Sequence, residues 1–201
     1  LDIVIVATNS IVREKIIRDV SQKRSVKNLI LEKVLFQRKI QYVEIDNLLK
    51  EFSIPTWANC WMRTADLFKQ IKSALNSKDL IQMKVAGSQW GMGTNSVHFM
   101  DLLFFFAECS DFKFAEVHLE DKVPDSKRDG FKEFVGHLKG MNSRGDSLEL
   151  ICRDKGNGPV TIDIQNGPEK FTLTTNFVNH IEFISSNELA SRIGKVSLPY
   201  Q

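Results

Sequence analysis

The sequence predicts an α/β chain, in which half of a doubly wound parallel sheet is followed by an α+β domain with an open, largely antiparallel sheet. Strand-like runs alternate with amphipathic helices as far as Leu75, and beyond Asn76 the hydrophobic pattern changes to a period of two. Asn-Gly turns punctuate the later segments, the chemistry of tight hairpins.

Leu1 to Thr8 (LDIVIVAT) is a nearly continuous β-branched run, expected to be buried on both faces of a parallel sheet. Asn9 and Ser10 are placed to cap a helix running to about Val20, whose Ile11, Ile16, Ile17 and Val20 fall at helical spacing. Asn28 to Lys33 reads as a second strand. Ile40 to Phe52 reads as a second helix, through Val43, Ile45, Leu48, Leu49 and Phe52, and Pro55 to Cys60 as a third strand. A βαβαβ unit of this kind implies parallel strands joined by right-handed crossovers. Arg63 to Leu75 then forms a helix that leaves the half-domain, dividing the chain into residues 1–77 and 78–201.

The period-two segments are Gln82 to Ala86, Phe114 to Leu119, Glu133 to Leu138, Ser147 to Cys152, Val160 to Gln165 and Lys170 to Thr174. One helix, Thr94 to Ala107, interrupts them. The turns DKGNGP (Asp154 to Pro159) and QNGPE (Gln165 to Glu169) are expected to close hairpins. With helical cover on one face only, the sheet is expected to leave Ile, Leu, Val and Phe side chains for a second subunit to cover, giving a homo-oligomer.

Composition narrows the function. With 42% hydrophobic and 26% charged residues, the chain carries enough apolar material for a sizeable core. A net charge of +2, from 27 basic and 25 acidic residues, gives no basic excess to grip nucleic acid or an anionic membrane. The most apolar run, Val97 to Ala107, is interrupted by Asp101 and is shorter than the ~20 residues a membrane span needs. Cys60, Cys109 and Cys152 are odd in number and widely spaced, so neither a disulfide framework nor a metal site is expected, and a reducing cytoplasm fits best. The chain opens on Leu1 rather than Met, and an upstream segment is expected.

Two stretches carry candidate chemistry. Glu32-Lys33-Val34 ends the second strand, and in an open parallel sheet ligands bind beyond the carboxyl ends of strands. Lys33 there is either a solvated lysine or a group aimed into a crevice. The second stretch is GSQWGMGTNSVH, residues 87 to 98, followed by Asp101. Its glycines let backbone approach a ligand, and a helix N-terminus lies beside them. The G-x-G-x-x-G spacing of a dinucleotide fingerprint is absent. Thr94, Asn95 and Asp101 share the helix face of His98, which is either a hydrogen-bonded core histidine or a catalyst. His118, His137 and His180 lie in strand-like alternation, as structural or exposed residues.

Taken in order, several motifs resemble the Gfo/Idh/MocA family of glucose-fructose oxidoreductases and inositol dehydrogenases. DIVIVATNS resembles the fourth strand of its nucleotide domain, LILEKVL its Glu-Lys-Pro motif, and ANCWMRTADLFKQIK its Asn-x-x-x-Arg segment. GSQWGMGTNSVHFMDLL is similar to its glycine-rich loop and histidine helix, and SKRDGFKEFVGHLKG to the start of its carboxyl-terminal sheet. The resemblance implies the C-terminal half of a Rossmann-like domain, with the pyrophosphate loop upstream of Leu1.

It also implies NAD- or NADP-dependent oxidation or reduction of a sugar, nucleotide-sugar or cyclic polyol. Lys33 and His98 would be catalytic, Thr8, Asn9, Glu32 and Lys33 would contact the cofactor, and Arg63, Asn95, Trp90 and Asp101 would lie toward substrate. Two positions depart from the family pattern: Val34 replaces a proline, and Thr94 replaces an aspartate four residues before the histidine. The other reading is a non-catalytic binding or assembly module that retains the fold.

Overall fold

The computed structural model describes residues 1–126 and 129–175 and the backbone of a strand at Ile181–Ile184. His180 and residues 127–128 of the SKRDGFKEFVGHLKG motif lie outside the described residues. The chain forms two compact units, Leu1–Cys60 and Trp61–Gln201.

In the first unit, β1 (Val4–Val6), β2 (Leu29–Glu32) and β3 (Thr56–Asn59) form a parallel sheet in that order, joined through α1 (Arg13–Lys23) and α2 (Lys39–Glu51). Ile17 of α1 and Ile45, Leu48 and Leu49 of α2 bury against Val6, Leu29 and Leu31. Each such side chain contributes about 2 kcal/mol on leaving water. Helix α1 starts at Arg13, later than expected. The Asn9 side-chain oxygen accepts the N–H groups of Ile11 (3.1 Å) and Val12 (3.3 Å), and this turn precedes the helix.

The expectation that β1 is buried on both faces is corrected. Ile5 is 67% exposed, and it lies in register with Ile30 and with Trp57, which is 54% exposed. β-Branched residues favour extended backbone, but a second buried face needs a covering layer, which this unit does not supply.

The second unit contains a 3-10 turn (Trp61–Thr64), α3 (Asp66–Ala74), β4 (Ile81–Ser88), α4 (Met92–Ala107), β5 (Lys113–Leu119), β6 (Gly136–Met141), β7 (Ser147–Arg153), β8 (Val160–Asn166), β9 (Glu169–Thr175) and β10 (Ile181–Ile184). Its sheet runs β10-β9-β8-β4-β7-β6-β5, antiparallel except for the parallel pair β4 and β7. The expected boundary after residue 77 moves to Cys60/Trp61, because Leu67, Phe68 and Ile71 of α3 pack in the second core, with Phe99, Leu102 and Leu103 of α4 and Val85, Leu150 and Ile162 of the sheet. The helix expected from Arg63 is broken at Ala65, whose ψ of 136° is extended.

Two further elements differ from expectation. Of the two proposed hairpins, QNGPE closes one: β8 and β9 pair, with Asn166 opposite Glu169. DKGNGP does not, because β4 is inserted between β7 and β8. That connection crosses the end of β4 instead, where the Ser88 hydroxyl donates to the Lys155 carbonyl (2.9 Å). Strand β6 starts three residues later than Glu133, at Gly136, whose φ of 140° and contact with the His118 carbonyl leave no room for a Cβ.

The open face of the large sheet is polar. Alternation sends the Ile, Leu, Val and Phe residues of β4, β7, β8 and β9 into the core, Ile151 excepted, while Gln82, Lys84, Glu149, Ile151, Asp163, Gln165 and Thr172 occupy the other face. Lys84 and His137 both meet Glu149 at 3.0 Å. Most of the apolar surface that the sequence led us to expect there is therefore already buried beneath α3 and α4, with Ile151 left on the open face.

Candidate functional site

The candidates fall into two groups, one in each unit. In the first unit, Thr8, Glu32 and Lys33 gather at the carboxyl ends of β1 and β2, where parallel-sheet ligands bind. Asn59, at the end of β3, donates to the Glu32 carboxylate (2.9 Å), in keeping with their direct register. Lys33 is half-buried, and the Lys33–Val34 peptide is cis. Thr8 keeps a buried hydroxyl oxygen with no hydrogen-bond partner among the described residues. Asn9 is an exposed turn former, with its side-chain oxygen engaged by backbone.

Sequence reasoning missed Arg13. This almost wholly buried guanidinium donates to the carbonyls of Val34 (2.5 Å), Leu35 (3.0 Å) and Thr8, so one side chain fixes the backbone that follows both β1 and β2. A charged residue in the first turn of an amphipathic helix reads as solvated, and nothing local distinguishes it. An open groove of about 850 Å³ in this unit is lined by apolar residues such as Leu31, Phe36, Tyr42 and Leu49, and contains none of the candidate residues.

In the second unit, Gly91 adopts φ 73° and begins α4. Its carbonyl accepts the N–H of Asn95 (2.8 Å), and the Asn95 amide donates back to the Trp90 carbonyl (2.7 Å). The N-terminus of α4 is already occupied by a carboxylate: Glu133 accepts the Gly93 N–H (2.8 Å) and the Thr94 hydroxyl (2.7 Å). An anion suits this helix end. A carboxylate thus stands beside Thr94 after all, supplied from 39 residues away.

Trp90, expected near substrate, is 5% exposed and packs in the core. It lies edge-on to Phe99 (5.5 Å), with its indole N–H on the Ile151 carbonyl (2.9 Å). His98 is 4% exposed, with its ring edge-on to Trp61 at 6.2 Å, and in this unit it is not open to solvent as a crevice residue would be. Asp101 is not turned toward His98. Arg63 holds both of its carboxylate oxygens, Nε to Oδ2 at 2.8 Å and Nη2 to Oδ1, and also lies over the Phe105 ring at 5.8 Å. Arg63 and Asp101, named separately from the sequence as substrate-side residues, are therefore partners that tie the 3-10 turn to α4.

No family model matches the sequence, and no curated protein matches it. Solved structures do share its fold. A dehydrogenase (MviM) from Clostridium difficile superposes with a TM-score of 0.66 at 14% identity, covering 92% of this chain and 60% of that one. The WlbA dehydrogenase from Bordetella pertussis, in complex with NADH and UDP-GlcNAcA, gives 0.68 at 15% identity, over 96% of this chain and 61% of that one. A super-repressor mutant of Gal80p from Saccharomyces cerevisiae gives 0.66 at 13% identity, over 98% and 60%.

The fold is that of the Gfo/Idh/MocA-type oxidoreductases, and this chain spans about 60% of the length of the solved chains it matches. Among the described residues, no helix is long and apolar enough to cross a membrane.

Proposed function

We propose that the chain is part of an NAD(P)-dependent oxidoreductase that moves a hydride between a nicotinamide ring and a CH–OH group of a sugar, nucleotide-sugar or cyclic polyol. The observation that carries this reading is the row of polar residues, Thr8, Glu32, Lys33 and Asn59, at the carboxyl ends of three parallel strands in a fold shared with oxidoreductases. The buried Thr8 hydroxyl is the kind of group a bound nucleotide satisfies. Thr8, Asn9, Glu32 and Lys33 would hold the nicotinamide side. No G-x-G-x-x-G loop stands in this sequence to hold a pyrophosphate.

When bound, a nicotinamide accepts or gives the hydride. Lys33 would stabilise the developing alkoxide and His98 would take the hydroxyl proton. For His98 to do so, its ring must become accessible, since the imidazole is buried.

That burial favours a second reading, a binding or assembly module that keeps the fold without the reaction. The structural likeness to Gal80p, crystallised as a super-repressor mutant, is compatible with it. The deciding experiment expresses the full coding sequence and assays NAD(P)-dependent oxidation across hexoses, cyclic polyols and UDP-sugars. The enzyme reading expects turnover that Lys33→Met abolishes without unfolding the protein. A folded protein that neither binds NAD(P)H nor turns over any of these substrates supports the module.

A further inference from the structure

We infer that β5 is a self-pairing edge: two copies of this chain align their Lys113–Leu119 strands antiparallel about a twofold axis through Val117, continuing the large sheet from one copy into the other. Among the described residues β5 ends the strand order, and each of its residues is exposed. Val117 at 56% and Leu119 at 44% expose apolar side chains on the face that carries Leu138, the side that elsewhere packs under α4. An exposed, apolar end strand is a template for pairing unless it is blunted. The bulge between Phe114 and Glu116 lies near the start of β5 and leaves Glu116–Leu119 regular.

The backbone narrows the register. Glu120 donates its N–H to the Val135 carbonyl of the β6 side, and His118 is directly opposite His137, so the even-numbered residues of this stretch turn their backbone groups toward β6. In an antiparallel ladder the intervening residues turn theirs outward, leaving the N–H and C=O of Val117 and Leu119 facing the free edge. Outward residues must face outward residues, which allows a twofold axis through an odd- or an even-numbered residue; an axis through His118 would set Glu116 against the second copy's Glu120, so charge favours Val117. Through Val117, the two Val117 residues exchange both backbone hydrogen bonds.

On the polar side, Glu116 meets the second copy's His118. The segment is thus complementary to itself in charge, in apolar pattern and in hydrogen-bond direction. Lys139, 3.7 Å from Glu116, and His137, stacked 6.3 Å from His118, complete the row across each copy. Opposite charges placed directly across strands stabilise pairing, and like charges oppose it.

The test uses the 201-residue chain in sedimentation velocity across the micromolar range, with amide hydrogen exchange on the same samples. A reversible dimer is expected, with the Val117 and Leu119 amides protected in step with dimerisation. Val117→Pro removes an outward N–H from each copy without touching the β6 ladder, and should weaken the dimer by about tenfold or more. His118→Glu, an exposed change that leaves the fold intact even if the proline does not, should weaken it as well, whereas His118→Lys should preserve it. A chain that stays monomeric throughout overturns the inference. So does a dimer, or capture of an upstream segment, that leaves the Val117 and Leu119 amides exchanging freely.

Discussion

Asp101 stands one helical turn beyond His98 and turns away from it to Arg63, which takes both carboxylate oxygens. Sequence spacing put Asp101 and His98 on a shared helix face, but the carboxylate is consumed by a residue 38 positions earlier. Its work is to join the 3-10 turn to α4. The pair is partly exposed, with Arg63 open to solvent and 16% of the Asp101 side chain accessible, so its contribution is modest. Arg63→Met should lower stability by about 1 kcal/mol in urea titration, with a smaller loss for Arg63→Lys, which keeps the charge.

Arg13 should matter far more. Its guanidinium satisfies three backbone carbonyls in a buried setting, and Arg13→Met leaves them without donors. The expected loss is about 3 kcal/mol or more by chemical denaturation. Arg13→Lys recovers only part of it, because an ammonium cannot match the planar fork.

Glu133 and Thr94 should behave as one unit. Thr94→Val and Glu133→Gln each weaken the start of α4, and a double-mutant cycle should show coupling of about 1 kcal/mol between them. Additive effects would mean that the hydrogen bond contributes nothing. Gly91→Ala, at φ 73°, should destabilise through backbone strain by about 1 kcal/mol.

Acid should weaken the second unit. The Asp111 carboxyl is lowered to about 2 by hydrogen bonds from Cys109 and then from Ser143. Burial raises Asp146, but hydrogen bonds from Arg144, the Ile81 N–H and Asn142 together leave it lowered. Depressed folded-state values stabilise the fold above the unfolded aspartate value near 4, and this stability is lost as pH falls through the folded ones. Melting temperature measured from pH 5 to about 2 should therefore drop across that window. Asp111→Asn should flatten part of the slope, and an unchanged slope would show that Asp111 is not the group responsible.

Under the proposed assignment of Thr8, Asn9, Glu32 and Lys33 to the nicotinamide side, NADH should bind the isolated chain very weakly, since its sequence holds no G-x-G-x-x-G loop for the pyrophosphate. Fluorescence titration checks this. Tight binding would require a pyrophosphate site that the described residues do not contain.

Much of the secondary structure was legible because it rests on local periodicity. Ile17, Ile45 and Leu48 at helical spacing, and Met83/Val85 or Ile162/Ile164 at period two, declare their buried faces within a few residues of chain. The polar end of β2 was legible for the same reason, since the end of a strand is visible in its own residues. The roles of the site residues were not. Trp90 and His98 carry polar atoms in a Gly-rich context that reads as a ligand loop, yet both are buried, and which neighbours cover a side chain is a long-range fact.

What the sequence by itself determined was the order of elements, a parallel three-stranded unit followed by a largely antiparallel sheet, because extended and helical segments are chosen by side-chain shape and the spacing of apolar residues. Only the tertiary structure decided that β4 lies between β7 and β8, that α3 belongs to the second core, that Glu133 caps α4 and that Arg63 holds Asp101. Each of these joins residues or elements far apart in the chain, and such contacts form where burial and hydrogen-bond satisfaction are optimal for the whole fold, which no local pattern encodes.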